Sequence, residues 1–263
     1  NCPADYIKKK LPSMYHQFKE LAEVDITKQP MQVGPTLHYF MGGIRVEADT
    51  QASTVPGLFA CGECGGGING ANRLGGNSLS DLIVLGKRAG EHAAIYAQEN
   101  EAGRIDEAQA EAAQREALEP FNRGDSDAEG PYKVQSDLQD TMQDLVGIVR
   151  KGDEIQRALE EIEKLCVRTG EVGVVGHREF NPGWHTALDL KNLLAVSEAI
   201  ALSALAREES RGAQFREDFP EKDATWGGLN NVVRKGSDGT MELEKVPIQE
   251  IPADLQAIID EMA

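Results

Sequence analysis

The sequence predicts a mixed α+β chain, on three observations. Over residues 55–90 a short apolar run, a loop crowded with glycine and an amphipathic stretch follow one another. Over residues 93–207 apolar residues recur at helical spacing in segment after segment. Near the end, residues 232–235 and 241–246 flank Gly236-Ser237-Asp238-Gly239, the pattern of a β-hairpin.

Taken in order, residues 3–10 read as a short helix, followed by the stretch 14–21 and a turn, with His16 a surface residue. Pro35 starts an extended run that Gly42-Gly43 breaks. Residues 57–61 read as a buried strand, with the acid Glu63 close behind its end. The loop that follows holds Gly65, Gly66, Gly67, Gly70, Gly75, Gly76 and one cation, Arg73. A helix then opens at Asn77-Ser78-Leu79 and carries Leu82, Ile83, Leu85 and Ala89 on one stripe. Ser78 with Asp81 three residues on is a capping pattern, and Asn77 is the competing cap. Residues 93–101 extend this helix, and further helices are expected over 106–118, 131–149, 153–167 and 186–207, an antiparallel bundle. The segment 124–130 between two of them reads as a flexible loop. The hairpin closes a polar tail that begins near residue 208.

The chemistry expected of the glycine-rich unit follows from its parts. Glycine admits positive φ and close approach of a ligand to the backbone. A helix start offers unpaired N–H groups and a positive dipole end, which suit an anion or a polarised carbonyl. An acid at the carboxyl edge of a strand accepts hydrogen bonds from sugar-like hydroxyls. Against this stands the plainer reading, a long turn between strand and helix. His38, between apolar neighbours, reads first as a core residue. Brought beside Arg73, it would share the grip on a small dianion, each cation taking one carboxylate.

Composition narrows the partners. A net charge of −17 without a basic patch argues against nucleic acid and against a bare anionic membrane. No run of eighteen apolar residues suggests a spanning helix. Cys61 and Cys64 form a lone CxxC with no second pair and no nearby His at ligand spacing, so no metal site is expected. The chain starts Asn1-Cys2-Pro3, without an initiating Met, and reads as a piece of something longer.

Four strings converge on one family: Pro35-Thr36-Leu37-His38-Tyr39-Phe40-Met41-Gly42-Gly43-Ile44; Pro56-Gly57-Leu58-Phe59-Ala60-Cys61-Gly62-Glu63; Gly70-Ala71-Asn72-Arg73-Leu74-Gly75-Gly76-Asn77-Ser78-Leu79; and Glu209-Ser210-Arg211-Gly212-Ala213 with Arg216, Asp218, Phe219 and Pro220. With them the chain resembles the carboxyl-terminal half of the flavoprotein subunit of succinate dehydrogenase and fumarate reductase. The resemblance implies the end of a two-dinucleotide-binding-type flavin domain, an antiparallel helical bundle and a small C-terminal hairpin domain. Residues 1–30 would leave a capping domain, 31–100 close the FAD-binding domain, 101–210 form the bundle and 211–263 the terminal domain.

It also implies roles. His38 and Arg73 match the residues that bind the dicarboxylate. Glu63 matches the flavin-binding acid, and Ser78 and Leu79 match the pair whose backbone meets the flavin ring. The family's nucleotide fingerprint, flavin-attachment histidine and catalytic arginine lie upstream, so no catalytic residue is expected here and the FAD site is only partly present. Gln214 stands where relatives often have His. The implied partners are the dicarboxylate, the iron–sulfur subunit and the missing N-terminal half of the same subunit. Membrane attachment would run through partner subunits, at the inner face of the bacterial cytoplasmic membrane. The chain alone is expected to be inactive. Two alternatives stay open: a related flavin enzyme such as L-aspartate oxidase, and a subunit-docking module without activity of its own.

Overall fold

The computed structural model describes residues 2–34, 36–124 and 127–262. Pro35, the expected start of the extended run, and Asp125 and Ser126 of the expected flexible loop lie outside the described residues. The chain divides into two units, residues 1–38 and 39–263.

The first unit holds α1 (Ala4–Lys10) and α2 (Pro12–Leu21). Pro12 opens α2, where its missing N–H costs nothing. Neither helix buries a residue. Lys8 and Lys19 both stand over the Tyr15 ring.

The second unit begins with two short strands. Ile44–Arg45 (β1) pairs in parallel with Gly65–Gly66 (β2), Ile44 opposite Gly65 and Arg45 opposite Gly66. The pairing depends on missing side chains. A Cβ on Gly43, where φ is +139°, would collide with the Cys64 carbonyl, and one on Gly66 would come within 2.8 Å of the Gly43 oxygen. The strand expected over 57–61 does not form. Phe59 makes a single bridge to Ala52, and Gly62–Cys64 is a 3-10 turn. The expected burial holds only for Ala60, since Leu58 is 43% exposed, and a strand also needs a paired neighbour, which here is one residue long.

Then come α3 (Asn77–Glu99), α4 (Glu107–Asn122), α5 (Pro131–Leu145), α6 (Gly152–Thr169) and α7 (Pro182–Ala206). The last three pack on one another. Val134 and Leu138 of α5, Ile155, Ala158, Ile162 and Leu165 of α6, and Leu190, Leu194 and Ala201 of α7 form one buried cluster. The α6 residues recur at intervals of three and four, so they share one face. Asp106 caps α4, its carboxylate accepting from the Ala108 and Gln109 N–H groups. Asn181 caps α7, its Oδ1 accepting from the Trp184 N–H at 3.1 Å. Trp184 in turn donates to the Ala117 carbonyl and leans on Phe121, which fastens α4 to α7.

The tail is clamped to this cluster. Arg150 donates through its N–H to the Phe215 carbonyl and accepts from the Glu217 N–H. After the short α8 (Ala224–Gly227), the hairpin runs from Leu229–Lys235 (β3) to Met241–Pro247 (β4), antiparallel with Val232 opposite Glu244. The Asn231 amide donates to the Ser203 carbonyl on α7, so the hairpin is not free-standing. A final helix, α9 (Ala253–Met262), was not foreseen from the sequence.

Candidate functional site

The β1–β2 pairing sets the tip of the glycine-rich loop beside residues 39 and 40. The Phe40 N–H donates to Glu63 Oε1 at 3.0 Å, leaving Oε2 without a partner among the described residues. The Arg73 guanidinium lies over the Tyr39 ring, 4.4 Å from its centroid. Asn69 donates to Tyr39 Oη at 3.4 Å and to Asp81 Oδ2 at 3.2 Å. Burial raises the Tyr39 pKa, and the nearby Glu63 and Asp81 carboxylates raise it further against the opposing pull of Arg73. The phenol is therefore a neutral hydrogen-bonding group at physiological pH.

Arg73 is half-buried and incompletely satisfied. Its Nη1 donates to the Leu74 carbonyl at 3.1 Å, while Nε is buried without a partner. An unmatched guanidinium N–H is costly and suits an incoming acceptor such as a carboxylate.

The start of α3 differs from the expected cap. Gly76 is the N-cap, at φ +87°, and no side chain caps the helix. The helix starts at Asn77, so Ser78 lies inside its first turn and not at the cap, while Asp81 Oδ2 accepts from Asn69. The Ser78–Asp81 and Asn77 capping readings are both corrected. Only glycine holds this positive φ cheaply, and the loop enters the helix with its first-turn N–H groups unclaimed by side chains. No acidic residue lies in that turn. Ser78 is half-buried and Leu79 is exposed. The arrangement can receive an anion or polarised oxygen, and the free oxygen of Glu63 can accept from hydroxyls. On these counts the residues fit a flavin nucleotide.

Two sequence-derived placements change. Glu63 sits in the 3-10 turn and not at a strand end. His38 is exposed at the close of the first unit, while Glu63, Arg73, Ser78 and Leu79 belong to the second. Tyr39 and Asn69 were missed. Their neighbours in sequence carry no sign of the ring stacking, which arises only when β1 and β2 pair.

Around the loop lies a broad apolar surface. Leu74, Leu79 and Ile83 are 72%, 70% and 74% exposed, and Leu82 and Val84 lie beside them half open to solvent. Contiguous patches of this kind mark surfaces that bind something. Among the described residues no helix is long and apolar enough to cross a membrane.

The glycine loop, the helix start without a side-chain cap and the partly satisfied guanidinium fit a nucleotide site, and similarity to known proteins puts the chain in the class of FAD-dependent flavoproteins. An FAD binding domain matches residues 1–79 and a fumarate reductase flavoprotein C-terminal domain matches residues 135–257. The chain belongs to the fumarate reductase and succinate dehydrogenase flavoprotein family, and FAD is the cofactor of this family. It is 40% identical to an uncharacterized FAD-dependent oxidoreductase of Methanocaldococcus jannaschii, over 89% of this chain and 41% of that protein. It is 38% identical to a fumarate reductase flavoprotein subunit of Mycobacterium tuberculosis, over 93% of this chain and 43% of that protein. Among solved structures, Mycobacterium smegmatis Sdh1 in complex with UQ1 is 51% identical, with a TM-score of 0.87 over 98% of this chain and 44% of that one. An Escherichia coli quinol fumarate reductase FrdA is 32% identical, also with a TM-score of 0.87, over 96% of this chain and 44% of that one. The chain thus spans about two fifths of the length of the curated relatives it matches.

Proposed function

We propose that the chain is the carboxyl-terminal part of the flavoprotein subunit of a succinate dehydrogenase or fumarate reductase. In the complete subunit it serves FAD-dependent interconversion of succinate and fumarate, with electrons passing to an iron–sulfur subunit and on to quinone. Residues 1–30 leave a capping domain, 31–100 complete the FAD-binding domain, 101–210 form the helical domain and 211–263 the terminal one. The subunit works on the inner face of the cytoplasmic membrane, held there by its partners.

The observation that carries this reading is Arg73, a half-buried cation stacked on Tyr39 with one N–H unpartnered, three residues before the Gly76 cap of α3. Arg73 binds one carboxylate of the dicarboxylate and Tyr39 fixes the plane of its guanidinium. His38 binds the other carboxylate. Glu63 accepts hydrogen bonds from hydroxyls of the nucleotide, and the backbone of Ser78 and Leu79 offers N–H groups to the ring. Bound FAD supplies the two-electron redox chemistry. The positive end of α3 favours negative charge beside it by about 0.3–2 kcal/mol, which favours the reduced cofactor. No proton carrier is assigned within this chain, and the isolated chain does not turn over succinate.

The test is Arg73→Ala in the full-length, FAD-loaded subunit. Loss of a charge-assisted bond of about 3 kcal/mol lowers kcat/KM for succinate roughly 100-fold, with flavin content unchanged. Unaltered kinetics would remove Arg73 from the site. The same assay with L-aspartate as substrate separates this reading from an L-aspartate oxidase.

A further inference from the structure

The turn at residues 211–214 meets the loop that carries Arg73, although some 140 residues separate them in sequence. The Ala213 N–H donates to the Ala71 carbonyl at 2.9 Å. Among the described residues this is the one backbone hydrogen bond that reaches residues 70–73. Gly212 sits against the same residue at φ +60°, and a Cβ there would run into the Ala71 carbonyl and press on the Ala71 side chain. The loop itself is rich in glycine and has little stiffness of its own.

The turn, by contrast, is fastened on every side. Arg211 and Gln214 close it with two backbone hydrogen bonds, of 2.8 and 3.1 Å. Arg211 Nε donates to Glu209, a fully buried carboxylate, and Arg211 Nη2 donates to the Asp223 carbonyl. Glu209 also accepts from Arg207 and from the Asp223 N–H. The Gln214 amide accepts from Arg150 at 2.5 Å and donates to the Ala204 carbonyl. Arg216, also buried, donates to the Ala204 and Leu205 carbonyls at the open end of α7. Helix ends leave such carbonyls without partners, and here side chains of the tail supply them. A rigid strut therefore runs from the end of α7 through the turn to Ala71, two residues from Arg73.

We infer that Gly212 and Ala213 are positioning residues for the dicarboxylate site, setting the height of the Arg73 loop against the helical domain. This rests on the reading of Arg73 as a carboxylate-binding residue. The contact is backbone to backbone, so any side chain at position 212 displaces Ala71. A displacement of about 1 Å at a binding group costs up to about 100-fold.

The experiment uses the full-length, FAD-loaded subunit. Gly212→Ala is compared with Gly239→Ala, a glycine of similar positive φ in the hairpin turn whose Cβ would meet only the end of Lys235. Flavin content, thermal stability, succinate KM and kcat, and the inhibition constant of malonate are measured for both. The expected result is a rise of 10-fold or more in KM and in the malonate constant for Gly212→Ala alone, at unchanged flavin content. Values within twofold of those for Gly239→Ala overturn the inference. If Gly212→Ala does not load FAD, Arg211→Lys decides, because it keeps the charge and loses the forked hold on Glu209 and Asp223. A KM raised threefold or more supports the strut, and an unchanged one overturns it. Arg73→Ala separates the two claims. If it leaves both constants unaltered, the reading of Arg73 fails. If it abolishes binding while Gly212→Ala matches its control, the strut alone fails.

Discussion

In residues 131–206 the large apolar side chains meet one another, whereas in residues 39–100 most of them face solvent. Val134, Ile155 and Leu190 are completely buried. In the glycine-loop region only Ala60 and Ala89 join the buried apolar residues, while Leu74, Leu79 and Ile83 stand largely open. The two regions divide the work. One carries the stability, and the other carries the site on a surface held up by strands two residues long and by struts from the tail. This division gives the first prediction. Leu190→Ala in the helical cluster costs about 3–4 kcal/mol in urea unfolding, since it empties a closed space that cannot collapse. A loss below 1 kcal/mol would mean that the cluster is not the seat of stability.

The joint between bundle and tail is polar, and acid attacks it. Burial alone would raise the Glu209 pKa, but hydrogen bonds from Arg211, the Asp223 N–H and Arg207 outweigh it and hold the carboxyl at about 2. Asp218, held by Arg216 against the cost of burial, also lies at about 2. Both folded values are below the ordinary 4.5 and 3.8, so both contributions are complete above about pH 5 and disappear as the pH falls toward 2. For Glu209 the loss is on the order of 3 kcal/mol. Stability measured from pH 6 to pH 2 falls accordingly, and Glu209→Gln flattens part of that slope. An identical slope in the variant would take Glu209 out of the joint.

Helix caps give a smaller contrast of the same kind. Asn181 accepts from the Trp184 N–H and donates to the Val175 and His177 carbonyls, so its side chain ties a loop as well as a helix start. Asp106 serves only the start of α4. Asn181→Ala costs about 2 kcal/mol and Asp106→Ala about 1 kcal/mol, read by thermal unfolding of the chain. Equal costs would reduce Asn181 to a simple cap.

What could be read beforehand follows the same divide. Helices α5, α6 and α7 are written in residues such as Ile155, Leu159, Ile162 and Leu165, because period and burial coincide when a helix packs on its neighbours within the same chain. The Glu63 segment reads as a buried strand from its apolar residues and flanking glycine, but of those apolar residues only Ala60 is buried, and pairing depends on a partner that local pattern does not name. The Ser78–Asp81 cap fails because the helix starts behind Gly76, at positive φ, which puts Ser78 inside the first turn. Glu63 and Arg73 were legible as chemistry through residue type and glycine density. The stacking on Tyr39 and the strut from Gly212 were not, since both depend on contacts formed only after distant segments meet.

The weakest effect separates the two regions most cleanly. Ile83 lies on α3, 74% exposed, and makes no part of the buried cluster. In this chain Ile83→Ala should change stability by less than about 0.5 kcal/mol, because little apolar area returns to water. On the proposed function the same side chain is covered in the complete flavoprotein by the rest of the subunit. There the substitution should cost about 2 kcal/mol or more, the penalty of emptying a buried aliphatic site. The pair of measurements compares one residue with itself, free of differences in residue type. Equal, small losses in both molecules would show that α3 keeps this face to solvent, and the exposed apolar surface around Arg73 would need another occupant.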